Sequence, residues 1–160
     1  MKLYPRLPVQ PIQNLLLIGA GLIGGSLTLG LIDAYVVPYT ESYAQAVRDA
    51  DVIVLAMPVG QTQAVLRDLL PHLSPHTIIT DAGSTKQSVY TDALAVLGDA
   101  HIHQFVLAHP IAGRELNGPA AALADLYVGK KIMVCPTEHN SPEQIQTVVS
   151  MWQAAGGCVY

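Results

Sequence analysis

The chain has 160 residues, 51% of them hydrophobic and only 12% charged, with eight Lys and Arg against twelve Asp and Glu and a formal net charge of -4. That length suits one domain with a full apolar core, which excludes a disulfide- or metal-stapled mini-protein, and the apolar composition excludes a disordered chain. An acidic balance without a basic run excludes a nucleic-acid-binding surface, while a mean hydropathy of +0.36 points to an apolar face covered by a further domain, a second subunit or a membrane.

Met1 to Asn14 carries Pro5, Pro8 and Pro11 and no apolar run, so it does not read as a secretory leader. Leu15–Ile18 is the first expected strand. It opens an uncharged stretch, Leu15 to Ile32, that reaches the lower length limit of a membrane span and contains a G-x-x-x-G from Gly21 to Gly25. Five glycines interrupt that stretch and neither a basic cluster nor an aromatic belt flanks it, so it reads as strand, turn and helix in a soluble, cytoplasmic protein. Further short apolar runs at Val52–Ala56, Thr77–Thr80, Phe105–Ala108 and Ile132–Cys135 read as buried parallel strands. Helical stretches at Gln61–Leu70, Thr85–Leu97 and Pro142–Ala155 alternate with them. The last helix is strongly punctuated. Ser141 caps it with Gln144 three residues on, Pro142 occupies its first turn, and Gly156-Gly157 ends it before a final strand, Cys158–Tyr160. Cys135 and Cys158 form no C-x-x-C and read as reduced thiols. The alternation predicts a Rossmann-like, doubly wound, mostly parallel α/β sheet, with ligands at the carboxyl ends of the strands.

Three turns at that edge carry the chemistry. Gly19-Ala20-Gly21-Leu22-Ile23-Gly24 is a G-x-G-x-x-G between a strand and a helix. Gly19 permits the tight turn, Gly21 lets backbone approach a pyrophosphate, and Gly24 lets helix pack on strand. A glycine-rich packing turn is the alternative. The acidic residue that holds an adenosine ribose about 20 residues on has only weak counterparts, Asp33 and Glu41, each of which reads better as a solvated loop carboxylate. Asp51 through Met57-Pro58-Val59-Gly60 and Asp81 through Gly83-Ser84-Thr85-Lys86 each run from a strand into a turn. Pro58 can free carbonyls to face a cofactor. Ser84 forms an S-x-x-Q with Gln87, so its hydroxyl serves either as a helix cap or as part of a donor-rich helix start. His109 alone among six histidines stands at the carboxyl end of a predicted buried strand. Taken by itself it would read as a hydrogen-bonded structural histidine. Pro71 and Pro75 break any helix around His72 and His76, and His101 and His103 precede a strand, so no histidine pair has metal-ligand spacing.

The blocks GAGLIGGSL, DVIVLAMPVGQT, DAGSTK and HPIAGRE, in that order, resemble the nucleotide-binding domain of the prephenate/arogenate dehydrogenase family of tyrosine biosynthesis. The resemblance spans Leu15 to Glu115 and continues through GKKIMVCPT and WQAAGG. It implies NAD or NADP as cofactor and oxidative decarboxylation of prephenate or arogenate. Gly19, Ala20, Gly21, Leu22, Ile23, Gly24, Met57, Pro58, Val59 and Ser84 would bind the cofactor, and Ser84, His109 and Glu115 the substrate. His109 and Ser84 would be the catalytic residues, Ser84 near the substrate hydroxyl and nicotinamide and His109 as the acid/base, since a neutral imidazole can take the proton that the ring hydroxyl sheds as hydride leaves. Lys86, Arg114 and the helix starts would supply positive potential for an acidic substrate, although Arg114 reads equally as solvated surface charge.

Two departures from the family follow. Between Leu27 and Gly30 roughly 30 residues are expected to be missing, enough for the rest of the first helix, the second strand and another helix. The family also continues beyond a domain like residues 1–160 into an all-helical part that dimerises and completes the substrate pocket. The alternatives are a non-catalytic nucleotide-binding or oligomerisation module, and another dehydrogenase on the same fold.

Overall fold

The structure, a computed structural model, describes residues 1–9, 11–19, 21–31, 43–113 and 119–160. Apolar runs rich in β-branched residues form β1 (Leu15–Ile18), β2 (Val52–Leu55), β3 (Ile78–Asp81), β4 (Phe105–Pro110), β5 (Lys131–Cys135) and β6 (Cys158–Val159). These pair in sequence order into one six-stranded sheet. β1 to β4 are parallel, with Leu15 opposite Val52, Val52 opposite Ile78 and Ile79 opposite Phe105.

Among the described residues five helices flank the sheet: α1 (Leu22–Leu31), α2 (Tyr43–Asp49), α3 (Thr62–Leu69), α4 (Lys86–His101) and α5 (Pro142–Ala154). Strand side chains alternate between faces, so β2 divides its residues between two cores. Val52 and Val54 join Leu22, Leu27, Val148, Val149 and Trp152 beneath α1 and α5. Ile53 and Leu55 join Val47, Leu66, Leu69, Val89 and Ala93 beneath α2, α3 and α4. The expected doubly wound sheet is thus formed.

Helix ends follow their local chemistry. Ser141 accepts from the Gln144 N–H while the Gln144 side chain accepts from the Ser141 N–H, the reciprocal cap expected of α5. Gly156, at φ +92°, then turns the chain into β6. Gly98, at φ +58°, breaks α4 directly after Leu97, where the helix was expected to end.

Two expectations are corrected. β5 runs antiparallel to β4, with His109 opposite Met133 and Ala108 opposite Val134, and parallel only to β6. A parallel partner needs a crossover that carries the chain back across the sheet. The described part of the β4–β5 connection holds only a short 3-10 turn, Pro119–Ala121, so the chain re-enters the sheet at the edge where it left. Ser84 does not cap α4 with Gln87: α4 starts at Lys86 and its N-cap is Thr85, which forms no side-chain cap bond. α1 runs through Leu27 and Gly30, and α2 is a helix beyond those expected from the sequence. Asp33 and Glu41 lie outside the described residues.

Among the described residues β1 has a strand neighbour on one side only, β2. An N-terminal arm links the two ends of the sheet. The Tyr4 N–H donates to the Val159 carbonyl at 2.8 Å, Gln153 Nε2 donates to the Tyr4 carbonyl at 3.1 Å, and the Gln13 and Asn14 N–H groups donate to the Asp51 carboxylate just before β1. Both cysteines are free, and among the described residues no helix is long and apolar enough to cross a membrane.

Candidate functional site

The carboxyl ends of β1 to β4 meet along one edge, and the turns that follow them interlock. Gly19 has φ +104°, and a Cβ there would stand 2.6 Å from the Ala56 carbonyl carbon at the end of β2. A Cβ on Gly24 would overlap the Gly19 carbonyl oxygen at 1.9 Å, so α1 is pressed against the turn that precedes it. Gly21 differs, since nothing lies within 4 Å of the position its Cβ would take. Two glycines are therefore required by packing and the third borders open space beside the start of α1. The Gly25 N–H makes the helical bond to the Gly21 carbonyl, so the N–H groups of Leu22, Ile23 and Gly24 precede the first helical turn. That arrangement suits an anion.

The next two turns sit side by side. A Cβ on Gly83 would lie 2.8 Å from Val59 Cγ1 and 3.0 Å from Asp81 Oδ2. Met57 and Val59 are half-buried, and Pro58 is exposed. Ser84 is exposed, and its hydroxyl forms no hydrogen bond among the described residues.

Asp81 ties these turns to β4. It is buried at the end of β3, where Oδ2 accepts from Lys86 Nζ and from the Gly83 N–H at 2.9 Å, and Oδ1 accepts from the Ala108 N–H at 3.1 Å. Lys86 Nζ also donates to the Ala108 carbonyl at 2.6 Å. One ion pair thus fastens the end of β3, the first turn of α4 and the β4 residue before His109. Burial pushes the Asp81 carboxyl up, against the opposing pull of Lys86 and of the two backbone N–H groups.

His109 is half-buried near the end of β4. Alternation puts it on the same sheet face as Leu107, which packs in the core beneath α4. Burial lowers its pKa first, the Lys86 charge lowers it further, and Asp81 opposes both. The imidazole is therefore neutral, and able to accept a proton, at a lower pH than a free histidine. Burial also pushes the Cys135 thiol up.

The structure brings Gly19, Gly21, Leu22, Ile23, Gly24, Met57, Pro58, Val59, Ser84 and His109 to this edge. Ala20, Arg114 and Glu115 lie outside the described residues. In the sequence Asp81 stands out only as part of a motif, and Lys86 only as a source of positive potential. The available signal was an acid closing a four-residue apolar strand with a lysine five positions on. No group of three or more His, Cys, Asp or Glu able to hold a metal occurs among the described residues.

Residues 25–160 match the family described as prephenate dehydrogenase, nucleotide-binding domain. The chain is 34% identical to a cyclohexadienyl dehydrogenase of Zymomonas mobilis over 118 residues, 74% of this chain and 39% of that protein. It is 32% identical to a prephenate dehydrogenase of Bacillus subtilis, over 86% of this chain and 44% of that protein. The latter alignment runs over 168 positions against 86% of 160 residues, a surplus of about 30 that matches in size the segment expected to be missing. A crystal structure of prephenate dehydrogenase from Aquifex aeolicus, in complex with hydroxyphenyl propionate and NAD+, superposes with a TM-score of 0.79 at 28% identity, covering 96% of this chain and 60% of that one. The chain spans about two fifths of the length of the curated relatives it matches. With the glycine turn, the interlocked strand ends and the match over residues 25–160 in agreement, the chain belongs to the prephenate dehydrogenase nucleotide-binding domain family.

Proposed function

We propose that this chain is the nucleotide-binding part of an NAD-dependent dehydrogenase, with NADP as the other nicotinamide cofactor to test, that oxidatively decarboxylates prephenate or arogenate in tyrosine biosynthesis. The observation that carries the reading is His109, half-buried beside the Asp81–Lys86 pair on the same strand edge as an anion-ready glycine turn. A dinucleotide fits these residues. Its pyrophosphate would lie in the open space at Gly21 against the N–H groups of Leu22, Ile23 and Gly24, with Met57, Pro58, Val59 and Ser84 flanking its nicotinamide end, and the family resemblance adds Gly19 and Ala20 to the cofactor-binding residues.

When bound, the nicotinamide supplies the hydride acceptor. His109 receives on a ring nitrogen the proton of the substrate's ring hydroxyl as the carbinol C–H electron pair departs as hydride. The electron pair of the breaking bond to the carboxylate closes the aromatic ring and carbon dioxide leaves, so no metal is required. Ser84, exposed and without a hydrogen-bond partner among the described residues, would donate to the substrate oxygen. Lys86 lends positive potential to a site for an acidic substrate, and the family resemblance gives Glu115 a part in binding that substrate. Activity belongs to a complete protein whose further helical domain makes it a homodimer, working in the cytoplasm on a small-molecule substrate and apart from nucleic acid and membrane.

Two experiments test the reading. Calorimetric titration of NAD+ into the 160-residue chain should give binding in the micromolar to millimolar range. Absence of binding with clear self-association would favour an oligomerisation module instead. In the complete enzyme His109→Asn should lower turnover about 10²- to 10⁴-fold with cofactor affinity nearly unaltered. Unaltered turnover would remove His109 from the mechanism.

A further inference from the structure

The start of α1 is poorly built to hold itself. Gly24 and Gly25 stand within it and Gly21 directly before it, glycine is among the weakest helix formers, and the first turn carries no acidic residue. Its order must come from contacts outside the helix. A strap formed by residues 120–127 supplies them. The Tyr127 hydroxyl donates to the Ile23 carbonyl at 2.5 Å, and the Leu123 N–H donates to Ser26 Oγ at 2.8 Å. Ser26 and Tyr127 are both fully buried. Farther along the helix, a Cβ on Gly30 would come within 3.1 Å of the Ala124 carbonyl oxygen, so small residues let the strap lie close. The Tyr127 ring meets Trp152 of α5 edge-on, with centroids 5.2 Å apart and planes at 73°, a contact that fixes the direction in which the hydroxyl points.

We infer that Tyr127 is a positioning residue for the nucleotide: its hydroxyl holds the first turn of α1 in the conformation whose N–H groups receive the pyrophosphate. The inference rests on the reading of α1 as the pyrophosphate-binding helix. A bond made equally in the free and loaded protein would add stability and leave affinity unaltered. A bond that keeps a weak turn in its binding conformation raises the competent fraction, and apparent affinity rises with that fraction.

The test is Tyr127→Phe in the 160-residue chain, titrated with NAD+ by calorimetry and melted under the same conditions. Phenylalanine keeps the ring against Trp152 and removes only the hydroxyl. The expected result is a Kd raised about three- to tenfold, the size of one lost hydrogen bond. Ser26→Ala, which deletes the second strap bond, should shift Kd in the same direction and carries the test should Tyr127→Phe fail to fold. Ser141→Ala, at the far end of α5, should lower the Tm while leaving Kd unaltered. In the complete enzyme the Tyr127→Phe effect should fall on the KM for NAD+ and spare kcat. A Tyr127→Phe chain that melts earlier yet binds NAD+ with unaltered Kd would overturn the inference. Failure of the unaltered chain to bind NAD+ would overturn it together with the nucleotide reading, and would be seen before any substitution is made.

Discussion

Replacing Lys86 by Met removes the only side-chain cation that pairs with the buried Asp81 carboxylate among the described residues, while keeping most of the aliphatic stem. Asp81 is 4% exposed and Lys86 19%, so neither charge is compensated by bulk water. Without the ammonium, Asp81 retains the N–H groups of Gly83 and Ala108 and no counter-charge. Breaking one side of a buried pair costs about 3–5 kcal/mol when the remaining charge stays ionised. Burial already pushes this carboxyl up, so part of the loss is relieved by proton uptake, leaving about 2–3 kcal/mol near neutral pH. At about 2–4 °C per kcal/mol for a chain of this size, the Tm should fall by about 5–10 °C in a circular-dichroism melt. The deficit should be larger at pH 8 than at pH 5, because a protonated Asp81 no longer stands as an unpaired charge. Asp81→Asn combined with Lys86→Met should recover part of the loss, giving a double-mutant coupling well above the few tenths of a kcal/mol expected of independent sites. A Tm within about 1 °C of the unaltered chain, or a deficit that does not vary with pH, would refute the claim that this pair fastens β3, α4 and β4.

The three glycines of the first turn should separate cleanly. Gly24→Ala forces a methyl group into the Gly19 carbonyl and should lower both the Tm and NAD+ binding, whereas Gly21→Ala meets nothing within 4 Å and should fold normally while weakening NAD+ binding, as read by melts and calorimetry. His109 has a pKa below the ordinary 6.5, so between that value and its lowered folded value the unfolded chain binds the proton that the folded chain refuses. Its share of stability is present above pH 6.5 and lost as pH falls through that window, and His109→Asn should flatten the corresponding part of a urea-unfolding pH series. In the complete enzyme Lys86→Met should move the acid limb of kcat/KM to higher pH, because Lys86 is one of the two influences that hold His109 down. Ser141→Ala should cost about 1 kcal/mol by removing one half of the reciprocal cap, checked by the Tm.

What could be read in advance was whatever the chain encodes within a few residues. β1 to β4 are short apolar runs ended by Gly19, Pro58, Gly83 and Pro110, and the Ser141-Pro142 start and Gly156 end of α5 are set by local bonding and positive φ. The glycine turn and His109 could be placed because each follows directly on such a run. What escaped was settled by distant partners. α2 offers only Ala46 and Val47 to the core over seven residues, too weak a period to stand out. The direction of β5 depends on which end of the sheet the chain re-enters, and its only trace was the absence of a helical period between His109 and Lys131. Ser84 has the right spacing for a cap, yet α4 begins one residue later, where Lys86 reaches back to Asp81. Tyr127 gave no local signal, because its partner Ile23 stands 104 positions away.

The N-terminal arm has a consequence for how the molecule is made. Its bonds from Tyr4 to Val159 and from Gln153 to Tyr4 join residues about 150 positions apart, so they can form only after α5 and β6 are synthesised. Closing a loop of that length is entropically costly and gives no return until both ends are in place. Docking of the arm therefore comes late in the assembly of this sheet, and until then the outer edge of β6 is open to pairing with another chain. Prolines at positions 5, 8 and 11 limit that hazard, since a segment with so few consecutive N–H donors can cover an edge without itself becoming a template for further strands.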